Sequence, residues 1–105
     1  MAATPVTPKA GLNSAIVIGG TPVIAVDIGP NGGYITNPAN PTDQGIGGGN
    51  TESLYVDAVN AAQIGGFGTT FELQPGQTWT VIPGQTTPTS VNASTSGHRF
   101  SVVSF

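Results

Sequence analysis

Cationic side chains are almost missing from this chain: Lys9 and Arg99 are the only two in 105 residues. Phosphate backbones are held by several Lys or Arg acting together, so direct contact with DNA or RNA is not expected. The same shortage argues against a basic patch on a membrane surface. There is no cysteine, so neither a disulfide framework nor a thiolate zinc site can form. No apolar run approaches the roughly 20 residues with which a helix crosses a bilayer. The opening residues, Met1-Ala2-Ala3-Thr4-Pro5, carry neither the basic nor the apolar segment of a secretory signal. These absences predict a soluble protein made in a cytoplasm.

Charge of either sign is scarce. Charged residues make up 7% of the chain and its net charge is −3, whereas about a quarter of an ordinary domain is charged. The water-facing surface must therefore be built from the 14 threonines, the seven serines, Asn, Gln and the backbone of 16 glycines. Such a surface is cheap to desolvate, because no ion has to leave water. Much of it is expected to meet other protein. The plainer alternative is a threonine-rich β domain that meets nothing. Length allows one domain with a modest core, burying roughly 60–70% of the surface that the unfolded chain exposes.

The patterning is strand, turn, strand. Residues 1–13 hold Pro5, Pro8 and Gly11 without a strand or helix period, which reads as an extended N-terminal arm. Residues 14–105 read as the β domain. Strands are predicted at 14–18, 22–28, 34–37, 53–59, 70–73, 78–82, 90–93 and 98–105, from apolar alternation stopped by Gly, Pro and Asn. Gln74-Pro75-Gly76-Gln77 suits a type II turn, so 70–73 and 78–82 are expected to pair as a hairpin, with Phe71, Leu73, Trp79 and Val81 inward. The last two strands are expected to pair across 94–97. Only 58–64 leaves room for a turn of helix. About eight short antiparallel strands indicate an all-β fold, a sandwich or barrel. A jelly roll suits the number, although a strand count does not fix topology.

Candidate chemistry is thin. The run Gly45-Ile46-Gly47-Gly48-Gly49-Asn50 lacks the Lys-Ser/Thr of a phosphate loop, and Asn50 stands where a dinucleotide fingerprint needs glycine. It reads as a flexible or closely packed loop. His98 is the one histidine; without a Gly-x-Ser-x-Gly elbow it reads as a strand-edge residue with local hydrogen bonds. Asp43 and Glu52 could share a loop, but no Asp-x-Asp-x-Asp-Gly spacing accompanies them. Arg99 is expected to bridge to Asp57 or Glu72, a contact worth at most about 1 kcal/mol on a surface. Trp79, Phe71, Phe100 and Phe105 read as core, while Tyr34 and Tyr55 could serve a sugar platform. No catalytic, cofactor-binding or metal-ligating residue is assigned, and no enzymatic activity is expected.

Five pieces in order carry a resemblance: Ile35-Thr36-Asn37-Pro38, Leu54-Tyr55-Val56, Phe71-Glu72-Leu73-Gln74-Pro75-Gly76-Gln77, Ser90-Val91-Asn92-Ala93 and Ser96-Gly97-His98-Arg99-Phe100. Over residues 33–105 the chain resembles small virion proteins of tailed bacteriophages. It departs from them in lacking a basic residue before Asn37 and in a longer 38–51 loop. The resemblance implies a β-sandwich that decorates a capsid exterior as a cement protein. The partners it implies are the major capsid protein and further copies of the chain, as a homotrimer. A tail, neck or fibre-attachment component, or a host-glycan-binding module, is the alternative.

Overall fold

Short alternating runs such as Gly33-Tyr34-Ile35-Thr36 and Leu54-Tyr55-Val56-Asp57 put every second side chain on one face, and Pro or Gly ends each run within a few residues. A computed structural model describes residues 10–24, 31–39, 51–84 and 89–105. Its elements are β1 (Ala10–Ala15), β2 (Val23–Ile24), β3 (Gly33–Thr36), β4 (Leu54–Asp57), β5 (Phe71–Leu73), β6 (Thr78–Val81), β7 (Ser90–Asn92) and β8 (Arg99–Ser104). The described residues are all-β, without a helix.

The strands form two antiparallel sheets, in the orders β1-β8-β3-β6 and β2-β7-β4-β5. β1 pairs along the free side of β8 and the two-residue β2 along that of β7. One apolar cluster draws on both sheets. Ile35, Val81, Phe100 and Val102 come from the first, and Leu54, Val56, Leu73 and Val91 from the second. Each such side chain, fully buried, contributes about 1.5–3 kcal/mol relative to exposure. Gly33 is required by close approach: a Cβ there would stand 2.0 Å from the Val103 carbonyl oxygen on β8.

Several sequence expectations are corrected. The first strand lies at Ala10–Ala15, not 14–18, so residues 10–13 of the expected arm belong to a sheet; residues 1–9 lie outside the described part. No turn of helix forms at 58–64. The type II turn is present, closed by Gln77 N–H to the Gln74 carbonyl at 3.0 Å with Gly76 at φ 89°. The hairpin is not: β5 pairs with β4 and β6 with β3, so the turn carries the chain from one sheet to the other. Likewise β7 and β8 lie in different sheets. Local turn chemistry fixes where the chain bends, but burial of two apolar faces decides which strand receives it.

The pairing has one simple rule. β1 pairs with β8, β2 with β7, β3 with β6 and β4 with β5, all antiparallel. The chain is a long two-stranded ribbon, folded so that β8 also meets β3 and β7 also meets β4. Only β4 and β5 are neighbours in both sequence and sheet.

Candidate interaction surface

The ribbon has two ends, each organised by a buried polar residue. At one end, where β1 and β3 finish, Asn37 is wholly buried. Its Nδ2 donates to the carbonyls of Glu52 (3.0 Å) and Leu73 (2.9 Å). Its backbone N–H donates to the Gln77 carbonyl, and its own carbonyl accepts from Gly76 N–H. Both amide hydrogens are thus committed, and Oδ1 is left to accept from His98 Nε2 at 2.9 Å. That assigns the His98 proton to Nε2. Asn37 thereby ties the end of β3 to β4, β5 and the segment leading into β8.

His98 is buried, not a strand-edge residue, and its partner is 61 positions away. Burial pushes its pKa below the ordinary 6.5, and the nearby charge of Glu52 opposes this without prevailing. Glu52 is itself held by Thr95 Oγ1, which donates to its Oε2 at 2.7 Å. Gly97 N–H to the Ile16 carbonyl and Ile16 N–H to the His98 carbonyl complete this end.

At the other end Asp57, 1% exposed, closes β4. Its Oδ1 accepts from the backbone N–H of Val59 and of Asn60, each at 2.8 Å. Thr69 Oγ1 donates to the carboxylate (2.7 Å to Oδ2), as does Thr70 Oγ1 (2.8 Å). Burial pushes the carboxyl up; the N–H groups of Asn60 and Val59 and the two hydroxyls outweigh it and hold the pKa below the usual 3.8. Asp57 thus gathers both ends of the 58–70 loop. The loop then folds back over the outer face of its sheet. Ala62 N–H donates to Ser90 Oγ (2.9 Å), and Asn92 Nδ2 donates to the Ala62 carbonyl (3.0 Å). An Asp followed three residues on by Asn is the kind of local signal that could have exposed this turn; the roles of Ser90 and Asn92 left none.

The remaining expected residues scatter. Asp57 is occupied as described, Glu72 accepts from Ser53 Oγ, and Arg99 stands half-buried at the start of β8 opposite Ala15. Asp43 and the glycine run 45–49 lie outside the described residues. Among the described residues no three His, Asp or Glu gather as a metal site. Tyr34 is exposed on the outer face of its sheet, edge-on to the Phe105 ring, and Tyr55 is half-buried.

What the surface does offer is apolar. Val59, Phe67, Phe71 and Ile82, each more than half exposed, stand at the Asp57 end, and Val17 and Ile18 at the other. Phe71 was expected in the core; it faces inward opposite Val56, but among the described residues β5 is the edge strand of its sheet and the ring is 56% exposed. It lies instead against Trp79 of β6, ring centroids 4.8 Å apart. The comparisons with known proteins add no relative: no family model matches the chain, and neither a curated protein nor a solved structure matches it.

Proposed function

We propose that this chain is a structural virion protein that decorates a bacteriophage capsid and stabilises it by bridging capsid subunits, as a jelly-roll sandwich working in several copies. The pairing of first strand with last, second with seventh, third with sixth and fourth with fifth supports the jelly roll, the architecture of two Greek keys found in many viral capsid domains. Fold alone does not specify function. The observation that carries the reading is the surface: among the described residues six large apolar side chains are more than half exposed, on a chain with 7% charged residues. Such a surface loses little on leaving water and gains on meeting protein.

The action is mechanical. A protein seated over subunit borders adds buried area, roughly 1,200–2,000 Å² for a contact of standard size, which must be given up before the shell opens. The buried polar residues fit this, since Asn37, His98 and Asp57 are spent on holding loops in shape. The test is addition of the purified protein to capsids depleted of it. Saturable binding at a fixed ratio, with a raised disruption temperature, is the expected result. A protein indifferent to capsids but retained on a glycan array would move it to host attachment, a role that jelly rolls also serve in lectins.

A further inference from the structure

The edge where β5 and β6 lie side by side differs from every other surface described. Each is the outermost strand of its sheet, and the 74–77 turn joins them. Across that edge Phe71 and Trp79 lie ring against ring, planes inclined at 34°. Phe71 is 56% exposed. The indole Nε1 of Trp79 is buried without a hydrogen-bond partner, a state that costs about 1–3 kcal/mol. An aromatic pair and an indole N–H lacking an acceptor are complementary to one kind of chain: a proline-rich segment, whose rings pack on aromatic faces and whose backbone carbonyls stay free to accept.

The chain carries such a segment. Pro5-Val6-Thr7-Pro8 has prolines three apart, the repeat of a polyproline II helix, and it immediately precedes Ala10, where β1 begins. We propose that residues 5–8 of one copy dock on the Phe71–Trp79 pair of a neighbouring copy, the Phe71 ring turning aside so that an arm carbonyl accepts from Trp79 Nε1. The inference deepens the multi-copy part of the function proposed above and rests on it.

The geometry favours a neighbour over the same chain. β1 and β6 are opposite edges of one sheet, with β8 and β3 between them. Three strand spacings make about 14 Å, whereas the two residues from Ala10 back to Pro8 reach at most about 7 Å. A second copy with its β5–β6 edge beside β1 meets the arm directly. Pro5 and Pro8 leave few donors unpaired on such an edge. The contact runs head to tail, the type that closes into rings.

Trp79 is the chain's one tryptophan, so its fluorescence reports the site. The expected result is self-association of the full chain, weakened about tenfold or more by the double substitution Pro5→Ala and Pro8→Ala. Trp79→Phe, which keeps a ring and loses the N–H, should also weaken it. A synthetic peptide of residues 1–9 should shift Trp79 emission and dissociate the assembly. Association that withstands the double substitution, with emission indifferent to the peptide, overturns the proposal. So does a change of emission in that variant at unchanged size, which places the arm on its own chain. A wild-type monomer that still adds to capsids overturns the arm contact while leaving the coat reading intact.

Discussion

The two ends of the molecule close the same ribbon with different chemistry. At one end a neutral pair, Asn37 and His98, collects backbone groups from both sheets: Leu73 and Glu52 from the second, Gln77 at the start of β6. At the other a single carboxylate, Asp57, collects donors from one loop, residues 59–70. The first arrangement joins sheets; the second builds a roof on one sheet and leaves Val59, Phe67, Phe71 and Ile82 facing water. A neutral amide can donate twice and accept at once, which suits a crossing point between layers. A carboxylate only accepts, so it suits a loop turning its N–H and hydroxyl groups inward.

The largest expected effect comes from Asp57→Ala, which strands two hydroxyls and two backbone N–H groups at once. Urea unfolding should register a loss of about 3–5 kcal/mol, and hydrogen exchange should quicken at Val59, Asn60 and Ala62. A loss under about 1 kcal/mol would mean that the loop holds its shape through other contacts. Asn37→Ala should cost less, about 2–3 kcal/mol, because the hydrogen bonds it removes join neutral groups rather than running to a carboxylate. Its mark should be a looser coupling of the sheets, seen as faster exchange at Gln77 and Gly76. Equal losses at the two ends would erase the distinction drawn between them.

The smallest and sharpest contrast is in pH. His98 has its folded pKa below 6.5, so the unfolded chain takes up the proton first as pH falls. Stability from this end is therefore full above about 6.5 and declines as pH drops through the lower folded value. Asp57 has its folded pKa below 3.8, so its contribution is full above 3.8 and is lost only as pH falls through that lower value. Urea midpoints at closely spaced pH values should show two separate declines, the upper one absent in His98→Gln. One continuous decline unaffected by that substitution would remove His98 from the account.

Much of the fold was legible in the sequence. Strand runs, their breaks at Gly and Pro, and the turn at Pro75-Gly76 follow from properties of adjacent residues, and adjacency is what a sequence displays. Leu73 and Val81 were expected inward from alternation and Phe100 in the core, and all three are buried. Phe71 failed the same rule because alternation gives a direction, not a cover: it points inward at an edge where no further strand stands. The organising residues were less visible. Asn37 resembled a strand stop before Pro38, and His98 a polar residue at a strand start, because their meaning lies in partners 36 and 61 positions away.

The sequence by itself determined that this chain would be β, poor in charge and turned often, since those depend on side-chain type and local backbone preference. The tertiary structure alone decided that neighbouring strands part into different sheets, that Asn37 and His98 meet, and that Phe71 and Trp79 share an open edge. The physical reason is burial. Two apolar faces gain most by covering each other, and the pairing that achieves it joins the first strand to the last.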